Sequence, residues 1–362
     1  MRKVVDKPFL ISVIVLIVFG FFIFSSASLG LLAKVGDKYS NVAFSQTFFG
    51  LFGGTLALII SSRIPYKFWR KYSFYLFGLT LILTALVFTP LGFEHAGAKR
   101  WLSIGGFSLQ PSEFLKGAFI IYVATWLSGI REKITTLKYG LIPLLVILGL
   151  VGFILLNQPD TDTFAVIMIS GFAMFLSAGG KWRHILVVAI VSVLGLLLIA
   201  AFRPYVKQRL LTYVNPTNNE LTSGYQIQQS LIAIGSGGFS GRGFGQSIQK
   251  FNFLPEPIGD SIFAVAAEEF GFIGAMFLII LFLYFTLRGM KIATRTDDSF
   301  GRLLIVGIVI LIVSQAFVNI GAMLGVLPLT GIPLPFVSHG GTALFITLGL
   351  MGIVLNVSKK AR

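Results

Sequence analysis

The chain has 362 residues, 55% of them hydrophobic and only 12% charged, with 36 phenylalanines, a net charge of +15 and a mean hydropathy of +0.87. That balance excludes a soluble domain and describes an all-α polytopic membrane protein. With no cysteine in the chain, disulfides, zinc thiolate sites and thiol nucleophiles are excluded as well.

A membrane helix needs about 20 apolar residues to cross roughly 30 Å of hydrocarbon. Ten such runs are read at 8–33, 42–62, 73–91, 113–129, 140–157, 163–180, 184–202, 261–287, 302–327 and 339–357, which puts both termini on one side. The first run follows Arg2, Lys3 and Lys7 and has no small-residue cleavage site after it, so it reads as a retained helix and not a removed signal peptide. Basic residues crowd into the N-terminus, 62–72, 130–139, 181–183, 288–302 and the C-terminus. Short loops rich in Lys and Arg stay cytoplasmic, while long ones translocate almost regardless of charge. The termini are therefore expected in the cytoplasm and the long 203–260 loop outside, within one transmembrane domain spanning 1–362.

A pI near 10.1 is on this reading a topology signal. The basic residues are dispersed around helix ends and form no stripe, so nucleic acid is not an expected partner, whereas anionic membrane lipids are. The three histidines, His95, His184 and His339, lie far apart in sequence and on different sides. No histidine metal site is expected; carboxylate-held calcium or magnesium stays open.

Four polar clusters fall on the expected outer face: 99–116, 157–162, the 203–260 loop and 328–341. In the first, Pro111 suits the opening turn of a helix. Glu113 and Lys116 follow three residues apart and so neighbour each other on one helix face; they form either a functional pair or a helix end marked by a snorkelling lysine. In the second, Asp160 and Asp162 stand in a tight turn where carboxylates also serve as N-caps. The long loop carries Arg203, Lys207, Arg209, Arg242 and Lys250 with a glycine-rich GSGGFSGRGFG stretch. Glycines allow an anion nest, and arginine forks suit phosphate, but a flexible linker reads the same way. Asp260 stands at the mouth of the next span, with Glu268 and Glu269 roughly two turns deeper. These carboxylates are either a base or cation site tuned by partial burial, or partners that tie the loop's arginines down.

The strings GAKRWLSIGGFSLQPSEFLK, PYVKQRLLTYVNP, GYQIQQSLIAIGSGGFSGRGFGQSIQK, LPEPIGDSIFAVAAEEFGFIG and LPLTGIPLPFVSHGGT, with an early FSSAS at Phe24 to Ser28, resemble the SEDS family that contains the division protein FtsW and the elongation protein RodA. The resemblance covers nearly the whole chain. It implies a ten-span peptidoglycan glycosyltransferase of cell wall biogenesis that polymerises lipid II outside the bacterial cytoplasmic membrane. It also implies a class B penicillin-binding protein, a transpeptidase, as partner. By motif position it implies Asp260 as the catalytic aspartate, and it carries Glu113, Lys116 and Asp160 over to the family's QPSE-K and QPD positions.

On that resemblance, an α-linked donor on polyprenyl pyrophosphate that gives a β-linked glycan requires inversion. Asp260 would then help deprotonate the acceptor 4-hydroxyl, while Arg209, Arg242, Lys250 and Lys116 stabilise the departing pyrophosphate, directly or with a divalent cation, Mg²⁺ or Mn²⁺. No other cofactor is expected. Ile258 and Gly259 before Asp260, Ser261 after it, Thr161 and Asp162 after Asp160, and His339 all depart from the family pattern. GRGFGQSIQK and the N-terminal run resemble the division branch more than the elongation branch, which would bring divisome membrane proteins as partners and the septum as location. A lipid II flippase is the alternative from a different class, but the short basic inner loops offer it no matching polar cluster. A mere scaffold fits poorly with a charged outer groove.

Overall fold

The computed structural model describes residues 5–32, 36–95, 98–104, 107–130, 133–202, 213 and 223–360. Helix forms over each of the ten expected runs. The chain begins with α1 (Lys7–Leu32) and α2 (Gly36–Phe44), which passes through a π-helical stretch, Ser45–Gly53, into α3 (Gly54–Arg63). There follow α4 (Tyr66–Ala85), α5 (Pro111–Gly129), α6 (Ile142–Asn157), α7 (Thr161–Ser177) and α8 (Trp182–Phe202). Next come α9 (Ser223–Ser236) and the short α10 (Gln249–Asn252), then α11 (Ile262–Thr294), α12 (Ser299–Met323) and α13 (Gly341–Ser358). Seven helical stretches among the described residues are long and apolar enough to cross a membrane: Lys7–Leu31, Tyr39–Arg63, Tyr66–Phe88, Leu137–Asn157, Ile262–Thr294, Ser299–Met323 and Gly341–Ser358. Helix α7 is shorter, and α5 carries Glu113 and Lys116 in its opening turns.

An all-α chain was expected, and here the structure differs. Residues 92–109 contribute a small antiparallel sheet in the order β1 (Gly92–His95), β2 (Ala98–Ile104), β3 (Phe107–Leu109). Trp101 and Leu102 of β2 lie opposite Phe93 and Gly92, and Glu94 faces Lys99, an opposite-charge pair of the kind that favours one register.

Helix α12 lies at the centre. About 72% of its most apolar window is buried, against 17% for the span Tyr39–Arg63. It packs on α11, α7 and α5, while α13 lies along α3. Lipid supplies no hydrophobic drive between helices, so close backbone approach and small residues decide such contacts. Gly352 of α13 is one of them: a Cβ there would collide with Ser61 Oγ and the Leu58 carbonyl of α3.

One expected span is divided. Gly271 has φ 64° and ψ −164°, which breaks α11 into Ile262–Phe270 and Phe272–Thr294. At 1.5 Å per residue the second piece is about 34 Å long and crosses hydrocarbon alone. The first piece is almost wholly buried.

Candidate functional site

A helix broken at Gly271 orphans the carbonyls of Glu268 and Glu269 and the amides of Phe272 and Ile273, and buried backbone groups must find partners. The glycine-rich segment supplies all four. Arg242 N and Gly243 N donate to the Glu268 and Glu269 carbonyls at 3.0 and 2.9 Å, and Phe272 N and Ile273 N donate to the Gly238 and Phe239 carbonyls at 2.9 and 3.2 Å. Such proximity requires glycine: a Cβ at Gly241, already at φ 81°, would strike the Glu269 carbonyl. Of the two readings left open for this stretch, anion nest or flexible linker, neither describes Arg242 and Gly243, whose amides are already engaged.

The two carboxylates complete the clamp. Glu268 accepts from Ser247 Oγ and from the amides of Ile248 and Gln249, and Arg242 Nε stands 3.5 Å from it. Glu269 Oε1 lies 2.6 Å from both Lys250 Nζ and Ser26 Oγ of α1, and Lys250 Nζ also donates to the Gly245 carbonyl. The Lys250 side chain is completely buried. It was expected to meet pyrophosphate; in the structure its ammonium is taken up by Glu269, Ser26 and Gly245. Arg242 is exposed but faces Glu268. Arg209 lies outside the described residues, as does most of 203–222.

A second polar assembly surrounds Asp260, which is half-buried just ahead of α11. Ser338 Oγ donates to the Gly259 carbonyl at 2.6 Å and His339 N to the Ile258 carbonyl at 2.7 Å. Asn319 Nδ2 of α12 donates to the Asp260 carbonyl at 2.7 Å and to the Ile332 carbonyl at 2.8 Å. One turn away, Gln315 Nε2 donates to the Pro333 carbonyl at 2.9 Å, while its Oε1 accepts from Lys116 Nζ at 3.0 Å. Lys116 in turn meets Glu113 at 2.8 Å, both buried. Asp162 Oδ2 accepts from Gly331 N at 3.1 Å. Gln46, from the π-helical stretch, holds Ser338 O and Gly340 N, and Gln226 of α9 donates to Ser261 Oγ at 2.9 Å.

Polar clusters that sequence placed on one face are thus joined through hydrogen bonds. Asp160 N-caps α7 by position, but its carboxylate makes no capping bond there, so the capping reading fails for it. Its Oδ1 lies 3.8 Å from Arg100, a β2 residue whose guanidinium also donates to the carbonyls of Gln158 and Pro159. Burial pushes the Asp160 carboxyl above the ordinary range, against the opposing pull of the Arg100 guanidinium. His339, stacked on Phe24, is lowered to about 4 by burial and is neutral at pH 7. Buried polar atoms without partners collect in this assembly: Asp160 Oδ2, Asn319 Oδ1, Thr330 Oγ1 and His339 Nε2. Among the described residues there is no group of three or more His, Asp or Glu placed to hold a metal ion.

Sequence reading missed Gln315, Asn319, Gln46 and Arg100. Two amides four residues apart inside an otherwise apolar run were the available signal, since buried polar groups in a span are costly unless paired.

In sequence the chain is 37% identical over 341 residues to the stage V sporulation protein E of Bacillus subtilis, covering 94% of this chain and 93% of that one. It is 40% identical over 310 residues to a Geobacter metallireducens protein named "Probable peptidoglycan glycosyltransferase FtsW", covering 85% and 83%. In structure it is similar to a chain of a peptidoglycan synthase complex, solved in work on the coordination of polymerization and crosslinking, with TM-score 0.81, 26% identity and 99% and 98% coverage. The Thermus thermophilus rod shape determining protein RodA matches with TM-score 0.72 at the same identity and coverage. A family model described as FtsW/RodA/SpoVE cell cycle protein matches residues 7–362, and the chain belongs to that family.

Proposed function

We propose that the chain is an integral membrane peptidoglycan glycosyltransferase that polymerises lipid II at the outer face of the bacterial cytoplasmic membrane, in septal wall synthesis. The reading includes ten spans, cytoplasmic termini, an outer 203–260 loop and a class B penicillin-binding protein as crosslinking partner, with divisome proteins nearby. It is supported by family membership and by relatives that carry the FtsW name.

The single observation that carries the chemistry is the suspension of Asp260. Its carbonyl and the two preceding ones are held by Asn319, Ser338 and His339, so a half-buried carboxylate is presented from an anchored backbone. Asp260 accepts the proton of the acceptor 4-hydroxyl as that oxygen attacks the donor anomeric carbon. The anomeric carbon–oxygen bond breaks with inversion, and the polyprenyl pyrophosphate leaves with the electron pair. Lys116, with Glu113 fixing its ammonium, stabilises the developing phosphate charge, and Arg209 is proposed to join it. Asp160, held by Arg100, shapes the polar wall beside α5. Arg242 and Lys250 are assigned to the clamp instead. No step is routed through a metal.

The test is glycan-strand formation from labelled lipid II by the purified protein with its cognate partner, beside Asp260→Ala and Asp260→Asn. Loss of a general base lowers rate by about 10²–10⁴-fold; polymer from folded, partner-bound Asp260→Asn at the wild-type rate would remove Asp260 from that role.

A further inference from the structure

Gln315 and Asn319 are four residues apart on α12, hence one turn apart on one helix face, with Cβ atoms about 5–6 Å from each other. Each binds a different half of the assembly. Gln315 takes Lys116 with its oxygen and the Pro333 carbonyl with its nitrogen. Asn319 takes the Ile332 carbonyl and the Asp260 carbonyl with one nitrogen. The consecutive carbonyls of Ile332 and Pro333 are therefore pinned to the same helix that holds Lys116 on one side and Asp260 on the other. Both side chains are buried in the helix that occupies the centre of the bundle, where an idle amide is costly. Neither amide bonds its own helix backbone to satisfy itself; each reaches carbonyls of other segments.

We infer that Gln315 and Asn319 are positioning residues that set the separation between the Lys116 ammonium and the Asp260 carboxylate, through α12 as a rigid ruler. The inference rests on the glycosyltransferase reading. It assigns the two amides no contact with substrate. Their effect is on how well the base and the phosphate-binding cation meet one transition state at once, and a misplacement of about 1 Å costs on the order of 10²-fold in rate.

The experiment measures polymerisation kinetics on labelled lipid II with the partner-bound protein for wild type, Asp260→Asn, Asn319→Asp, Asn319→Ser and Gln315→Met. Thermal melting and partner co-purification are measured on each. Asn319→Asp keeps the volume and loses the donor; Asn319→Ser keeps one donor on a shorter arm and stands in where an added buried charge prevents folding. The expected result is a fall in kcat of at least about tenfold for Asn319→Asp and Gln315→Met, with KM within about threefold of wild type, because substrate contacts are retained. A smaller fall in Asn319→Ser supports the same assignment. Unchanged kcat in folded variants overturns the ruler while Asp260→Asn remains inactive and the glycosyltransferase reading stands. A raised KM at constant kcat also overturns it, since the amides would then bind substrate. No polymer from verified wild-type complex sinks the reading itself and not the ruler alone.

Discussion

Two buried polar assemblies hold the ends of the same chain segment, and they are built differently. On one side Lys250, Glu268, Glu269, Ser26 and Arg242 surround the break at Gly271 with full charges and four backbone bonds. On the other, Asn319, Gln315, Ser338 and His339 grip backbone with neutral amides and a hydroxyl, and the charges are those of Asp260, Asp162, the Lys116–Glu113 pair and the Asp160–Arg100 pair. A buried ion pair is costly to break and adds little that apolar packing could not replace, which suits a clamp. Neutral donors that grip backbone can present a carboxylate, and the buried polar atoms Asp160 Oδ2, Asn319 Oδ1, Thr330 Oγ1 and His339 Nε2 lie on this side without partners. Lys250 and Asp260 stand ten positions apart, yet one end is fastened and the other presented.

The largest effect expected on the catalytic side is the loss of rate in Asp260→Asn described above, with melting temperature preserved. On the clamp side the sign of the result inverts. Lys250→Met leaves Glu269 as an unpaired buried carboxylate, and removing one partner of such a pair costs about 3–5 kcal/mol. The double variant Lys250→Met with Glu269→Leu restores most of that stability, as followed by denaturation in detergent. A double variant no more stable than the singles would make the pair more than a clamp.

His339 supplies a smaller effect with a definite pH window. Its folded pKa of about 4 lies below the unfolded value near 6.5. The unfolded chain therefore binds more protons between those values, and stability falls as pH drops from 6.5 towards 4, by on the order of 3 kcal/mol in all. His339→Gln flattens this limb in melting curves recorded between pH 7 and 4.5; an unchanged slope would show that another group titrates. Smaller again is Gly241→Ala, which pushes a Cβ into the Glu269 carbonyl at positive φ and costs about 1–3 kcal/mol, seen as a lower melting temperature with kcat per folded molecule retained.

Much of this was legible in advance. Each of the ten apolar runs overlaps a helix, seven of the helical stretches among the described residues being long and apolar enough to cross a membrane, and Pro111 with Glu113 and Lys116 gave a helix start and an i,i+3 pair that the structure joins at 2.8 Å. Other features were hidden for physical reasons. The break at Gly271 interrupts no apolar run, so 261–287 read as one span. WLSI and FSL around Gly105 and Gly106 had the alternation of a hairpin, but a short sheet is a weak signal in an apolar chain. The glycine-rich stretch read as an anion nest or a flexible linker because a segment's backbone partners are set by tertiary structure. Lys250 read as a pyrophosphate-binding cation for the same reason: only the fold brings Ser26 and Glu269 to it.

The most direct measurement compares the two assemblies in one assay: glycan-strand formation from labelled lipid II by partner-bound wild type, Asp260→Asn, and the folded double variant Lys250→Met with Glu269→Leu. The account predicts polymer at comparable rates from wild type and the double variant and a rate about 10²–10⁴-fold lower from Asp260→Asn. Polymer from Asp260→Asn at the wild-type rate, or none from a folded, partner-bound double variant, would contradict it.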